Sequence, residues 1–266
     1  MRNILVLTYW SFDDALVQTY TLPYVRMIRK VIRPSDTVTL VTFDRSTVDR
    51  SSSACRNLIS GLEADGIKCI HFAYSPFGMK AMLIMAFSFL KLYFTCVFTK
   101  ITHIHAFCTP AGAMALVLAR LTGSKLILDS FEPHAEAMVE NGTWHKKSFR
   151  YRFLFAMEKR MAVNAHAAVA CTPAFSQYVR EKYGVNMKHL FSKPACVDLE
   201  QFSLHKVKNP NLATELHLDG KLVAVYAGKL GGIYLGQEIF DFCTVAYHHW
   251  GESFRFLLHK ELTVQL

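Results

Sequence analysis

Short apolar runs alternate with longer stretches of helical periodicity along most of this chain, and that alternation narrows its fold more than any other feature. Residues 4–7, 37–43, 67–72, 101–105, 125–129, 167–171 and 188–193 are short and rich in apolar or β-branched side chains, which predicts buried strands. Residues 54–65, 78–98, 111–121, 144–164 and 174–182 space their apolar side chains for helices. Each is long enough to carry the chain back across a parallel sheet. A further helix is marked by Asp13 and Asp14 and then by Leu16, Tyr20, Tyr24, Met27, Ile28 and Val31. Pro23 inside it removes one backbone donor, so this helix either kinks there or starts later than the periodicity suggests. The predicted fold class is α/β, a doubly wound parallel sheet of Rossmann type.

The rhythm breaks between 198 and 220, where Ser203, His205, Lys206, Lys208, Asn209, Pro210 and Asn211 read as a linker. The predicted organisation is a first domain over 1–204, a linker over 205–220 and the start of a second domain over 221–266. That last piece holds strands at 222–227 and 254–259 around a helix at 235–247. It offers too little apolar surface for a stable Rossmann-type domain, so the second domain is expected to be incomplete.

A hydrophobic content of 52% with 19% charged residues excludes a disordered or low-complexity chain. A formal charge of +9 favours anionic partners, which include phosphorylated ligands, nucleic acid and acidic membrane surfaces. Seven cysteines with no CxxC spacing argue for a reducing compartment and against a disulfide framework or a zinc site. The first apolar run is too short for the core of a secretory signal.

Chemistry-bearing residues gather after predicted strands, the edge at which open α/β sheets bind ligands. Gly228, Lys229, Gly231 and Gly232 lie between a strand and a helix. They read either as a diphosphate cradle, with close backbone approach and helix N–H groups, or as an ordinary turn with an exposed lysine. Glu132 and His134 follow the strand at 125–129 and read either as a functional pair or as a capping or packed pair. Tyr9, Trp10 and Ser11 after the first strand, and His105, Phe107, Thr109 and Gly112 around the strand at 101–105, are expected to open on the same cleft. Their aromatic faces suit sugar rings, and packing explains them equally well.

Four segments in order resemble glycosyltransferase family 4, retaining enzymes of the GT-B fold with two Rossmann-like domains. They are Leu128 to His134, Glu158 to Ala162 with the following strand and Thr172-Pro173, the stretch Lys193-Pro194-Ala195-Cys196-Val197-Asp198-Leu199-Glu200-Gln201-Phe202, and Val225 to Gly232. The third is similar to the family's IPNGVDxxxF stretch, with Ala195-Cys196 in place of Asn-Gly. The resemblance implies a hexosyltransferase moving a sugar from a nucleotide-diphosphate sugar, as co-substrate and without a metal or other cofactor, to a glycan or lipid-linked acceptor. It implies catalytic roles for His134 and Glu132, donor binding by Gly228, Lys229, Gly231 and Gly232, and acceptor binding by Tyr9, Trp10, Ser11, His105, Phe107 and Thr109. The Gly-Gly pair that relatives often carry in the first loop is replaced by Ser11-Phe12-Asp13-Asp14. The family's paired-glutamate motif is expected beyond Leu266, so these residues alone are expected to be inactive. The rival reading is a non-catalytic binding module docking to a membrane or protein.

Two stretches bear on location. The helix over 78–98 nearly matches a membrane span in length, but Lys91 near its middle disfavours a lipid-crossing helix, and it reads either as a buried helix or as a crossover helix with one face on the sheet and another on a membrane or neighbouring helix. Residues 144–155 interleave Lys146, Lys147, Arg150 and Arg152 with aromatic side chains and read either as a headgroup-binding surface or as a helix with solvated charges. No nucleic-acid module accompanies them. The expected location is cytoplasmic, with an anionic inner membrane face as a further partner.

Overall fold

A computed structural model of the chain describes residues 2–45, 52–75, 79–129, 132–194, 196–197, 199–200, 203, 209–228, 230 and 236–259. The chain divides into two compact units, residues 1–197 and 198–266. The division falls at 197/198 instead of the predicted 204/205.

The first unit is built on seven parallel strands: β1 (Asn3–Thr8), β2 (Thr37–Asp44), β3 (Ile67–Ala73), β4 (His103–Phe107), β5 (Lys125–Asp129), β6 (Ala167–Ala170) and β7 (Leu190–Ser192). Their order across the sheet is β3-β2-β1-β4-β5-β6-β7, so the direction of winding reverses between β1 and β4. The central strands are apolar on both sides because both faces are covered. In β1, Val6 points into a core with Val38, Leu40, Val25 and Leu62, whereas Leu5 and Leu7 point into a second core with Val41, Ile104, Leu92, Leu118 and Met161. The first core is closed by α1 (Leu22–Val31) and α2 (Ser53–Ala64), and the second by α3 (Met79–Phe98), α4 (Thr109–Thr122) and α6 (Phe149–Asn164). This is the predicted doubly wound α/β fold.

Local chemistry explains where the elements differ from expectation. A π-helical turn, Val17–Thr21, runs directly into α1, and Pro23 falls in the first turn of the α-helix, where the locally widened helix accommodates its ring. The segment before α6 holds an unpredicted short helix, α5 (His134–Glu140). The α6 helix starts at Phe149, not Trp144, because the Ser148 hydroxyl accepts the Tyr151 amide at 3.2 Å and caps it. Strand β4 lies two residues later than predicted, so Phe107 is a strand residue instead of a member of the following loop and His105 sits at mid-strand. After β6 the chain forms α7 (Phe175–Tyr178) and a second π-helical turn, Val179–Tyr183.

The second unit contains α8 (Pro210–Glu215), strands β8 (Leu222–Ala227) and β9 (Phe254–His259) paired in parallel, and α9 (Gln237–Trp250) between them. Helix α8 lies inside the stretch read as linker, and the Asn209 side chain caps it by accepting the Asn211 and Leu212 amides. Among the described residues, Ala246 and Phe254 are the buried apolar side chains of this unit.

Gly112 of α4 is a packing glycine. A β-carbon there would lie 2.8 Å from Met161 Sδ and 3.1 Å from a Leu128 methyl. Substitution to Ala is expected to destabilise the protein by about 1–3 kcal/mol through overpacking. Denaturant unfolding checks this, and an unchanged midpoint would show that α6 gives way freely.

Candidate active site

The C-terminal edge of an open parallel sheet presents side chains and helix N-termini to a ligand, most favourably where strand order reverses. At that edge lie the loop after β1, the turn from β4 to α4, the connection from β5 to α5 and the residues after β7.

Asp129, the last residue of β5, is 2% exposed and is the hub of this edge. Its carboxylate accepts from His105 Nε2 at 2.9 Å, from Lys193 Nζ at 2.8 and 2.9 Å, and from the Tyr20 hydroxyl at 3.1 Å. Burial works to raise its pKa, but the hydrogen bonds and charge from His105 and Lys193 outweigh burial and hold it below the ordinary carboxylate value. The carboxylate is therefore ionised and acceptor-only, which makes His105 Nε2 a donor. The Lys193 ammonium also sits 3.5 Å from the Tyr24 ring centroid and 4.6 Å from that of Tyr20. Burial and a hydrogen bond with Cys196 push the Tyr24 hydroxyl up to about 12. Phe107 stacks on the His105 ring at 4.8 Å and 6°. His105 and Phe107 are thus brought together, with Asp129, Lys193, Tyr20 and Tyr24 as partners that the sequence reading had assigned no role. The one sequence signal for them is a charged residue at or just past the end of an apolar strand.

The turn into α4 is strained. Cys108 adopts φ 68° and ψ 160°, a conformation rare for a residue with a β-carbon. Three backbone contacts hold it: its amide donates to the Asp129 carbonyl at 3.1 Å, and amides of Tyr9 and Ala111 reach its thiol. Burial pushes that thiol up to about 11, so it is a protonated packing group at neutral pH. Thr109 beside it is 1% exposed, and its hydroxyl has no hydrogen-bond partner among the described residues.

His134 opens α5 and its Nδ1 lies 3.2 Å from Glu132 Oε1. That hydrogen bond, opposed by burial, holds the imidazole above its ordinary pKa. Trp144 closes on the ring edge-on, with centroids 6.4 Å apart. Both members of the pair remain accessible. Beneath them Glu158 of α6 is fully buried, accepting from the Ala135 amide at 2.9 Å and from the Tyr183 hydroxyl at 3.0 Å. It fixes the backbone immediately after His134 to the body of the unit.

The loop after β1 is differently organised. Tyr9 packs on Phe43 at 5.1 Å and edge-on to Tyr74, and Trp10 lies half-buried against the α1 and α2 core. Ser11 is buried, and its hydroxyl accepts the Arg45 amide at 3.2 Å. In the second unit Gly228 directly follows β8, while Lys229, Gly231 and Gly232 lie outside the described residues. Among the described residues no three His, Cys, Asp or Glu side chains converge as metal ligands.

A glycosyl transferase 4-like domain model matches residues 23–191, spanning β2 to β7 and most of the edge just described. The chain belongs to the glycosyl transferase 4-like family. No curated protein matches this glycosyltransferase in sequence. Its structure is similar to that of HepE from Anabaena in complex with UDP, at 12% identity and TM-score 0.56, over 98% of this chain and 70% of that one. It is also similar to sucrose-phosphate synthase from Thermosynechococcus elongatus, at 11% identity and TM-score 0.59, over 98% and 71% of the two chains. The GT-B fold and the general assignment to sugar transfer follow.

Burial pushes Glu158 up to about 7 from an ordinary 4.5 despite its two hydrogen bonds. An acid with a raised folded pKa binds more protons folded than unfolded, so stability falls as pH rises from about 4.5 to about 7. Glu158→Gln keeps an acceptor for Ala135 and removes the titration. Its melting temperature, measured by calorimetry across that window, is expected to decline less steeply than the wild type's. An identical decline assigns the titration to another group.

Proposed function

We propose that this glycosyltransferase is a retaining hexosyltransferase that uses a nucleotide-diphosphate sugar as donor and a glycan or lipid-linked molecule as acceptor. The observation that carries the reading is the accessible His134–Glu132 pair, anchored by buried Glu158 at the ligand-binding edge of a family member's sheet. In a retaining transfer the departing phosphate can take the acceptor proton, so no strong base is needed from the protein. An imidazole held by a carboxylate can instead orient a sugar hydroxyl and stabilise charge developing in the transition state.

The donor proposal is supported by the HepE structures in complex with UDP and with UDP-glucose, and by Gly228. A β-carbon at 228 would meet the Tyr226 hydroxyl at 3.4 Å, an ordinary contact, and Gly228 is not among the glycines with positive φ. Among the described residues nothing around it requires a glycine, whereas close approach of a diphosphate to the backbone would. We further propose that the protein works on the cytoplasmic side of a membrane.

Calorimetric titration with a panel of nucleotide-diphosphate sugars tests the donor class, and absence of binding across the panel would overturn it. Gly228→Val is expected to weaken binding of the preferred donor at least tenfold while leaving the melting temperature within a few degrees. Equal binding would remove Gly228 from the donor site. With that donor, and in an enzyme that also carries the paired-glutamate motif, His134→Ala is expected to lower turnover about tenfold or more, the loss of one charge-stabilising hydrogen bond. Unchanged kinetics would remove His134 from catalysis, and a collapsed melting temperature would make it a structural residue.

A further inference from the structure

We propose that the outer face of the helical layer formed by α3, α4 and α6 docks on an anionic phospholipid leaflet, with the protein lying on the membrane instead of crossing it. The inference rests on the proposed lipid-linked acceptor only for its use, and the surface is argued independently.

Helix α3 is 20 residues long, with a mean hydropathy of 1.9, and meets the length of a membrane span at about 30 Å. Its placement excludes that role in this fold. It joins β3 to β4 and buries Ser88, Leu92 and Cys96, the latter two in the core that includes Ile104 and Ala106, so the helix lies along the sheet. The opposite side of the helix is also apolar. Met79 is 75% exposed, Leu83 and Phe87 are each 66% exposed, and Leu90, Phe94 and Phe98 continue the same stripe. The neighbouring helices extend it. Helix α4 packs against both α3 and α6, and it exposes Val117 and Leu121 while α6 exposes Phe149 and Phe153. The aromatic residues of the basic stretch are thereby divided, since Tyr151 is buried and Phe155 packs against the core.

Charge identifies the occupant. The three helices carry seven basic residues: Lys80 and Lys91 on α3, Arg120 on α4, and Arg150, Arg152, Lys159 and Arg160 on α6. Their one acidic residue is Glu158, which is 0% exposed. A water-facing layer ordinarily mixes both signs. Apolar side chains bordered by cations alone suit acyl chains beneath anionic headgroups. A second copy of the chain is disfavoured, because pairing this face with itself would set cations against cations.

The geometry connects this face to the candidate site. Helices that cross between parallel strands run antiparallel to them, so the first turns of α3 and α6 lie at the sheet edge that carries Asp129 and His134. A leaflet under this layer would present a lipid-linked acceptor beside that edge.

Co-sedimentation of the protein with vesicles of phosphatidylglycerol and phosphatidylcholine, and with pure phosphatidylcholine vesicles, tests the proposal at low and high ionic strength. Partition onto the anionic vesicles is expected to be at least tenfold stronger and to weaken with salt. Lys80→Gln, Lys91→Gln, Arg120→Gln and Arg160→Gln combined are expected to lower it at least tenfold. Leu83→Gln, Phe87→Gln and Leu90→Gln combined should remove the salt-resistant remainder. These positions are exposed, and circular dichroism verifies that each variant is folded. Should the apolar variant misfold, the charge variant decides alone. Equal partition onto both vesicle types, or no loss in the charge variant, would overturn the proposal. A dimer that the apolar variant dissociates, without vesicle binding by the wild type, would do the same and assign the face to a second copy. No sugar donor enters this assay, so its failure is distinguishable from failure of the transferase reading.

Discussion

The edge of the sheet is organised around one buried carboxylate. Asp129 receives hydrogen bonds from β4 through His105, from the chain after β7 through Lys193, and from the π-helical turn before α1 through Tyr20. Its own main-chain carbonyl holds the amide of Cys108. Segments far apart in sequence are thus fixed to the end of the interior strand β5. Removing one partner from a buried, hydrogen-bonded charge pair typically costs about 3–5 kcal/mol, because the remaining charge is left uncompensated. Such a hub specifies geometry more than it adds stability, which suits an edge that has to hold several loops in one arrangement.

Glu158 offers the opposite solution to the same problem. Both carboxyls are nearly inaccessible, yet Asp129 is held below its ordinary pKa and Glu158 well above it. The difference lies in the partners. Asp129 faces an ammonium and an imidazole, which stabilise its charge, whereas Glu158 accepts from a backbone amide and a tyrosine hydroxyl, which offset only part of the desolvation. One carboxylate is therefore a fixed charge, and the other changes protonation near neutral pH beneath the accessible His134.

Patterns of local origin were legible in the sequence. Strands β5, β8 and β9 fall where apolar runs predicted them, and the doubly wound class follows from the alternation. Helix α5 was not legible because its seven residues are too few to establish a period. The partners of Asp129 were not legible either. Lys193 is 64 residues away and Tyr20 is 109 away, so only folding reveals that one carboxylate joins them. Gly112 illustrates a different limit. Its position near a strand end suggested an opening onto the cleft, but Met161, far along the chain, is what requires the glycine.

The loop after β1 bears on how the proposed reaction would divide its binding groups. Asp44, at the end of β2, accepts the Phe12 amide at 2.9 Å and the Thr42 hydroxyl at 2.7 Å, and His71 lies 3.4 Å from its other oxygen. A backbone amide that a glycine-paired loop could offer to phosphate is here already committed to a carboxylate. Asp13 and Asp14 follow at once, and the Asp14 carboxylate caps the Leu16 amide. An anion approaching this loop meets the negative charge of Asp13 and Asp14, so its replacement of Gly-Gly by Ser11-Phe12-Asp13-Asp14 is a change of electrostatic character as well as of backbone freedom. In the proposed reaction, donor phosphate recognition would therefore rest on residues other than this loop, and the β1 end would be left to neutral, hydroxyl-rich acceptor groups.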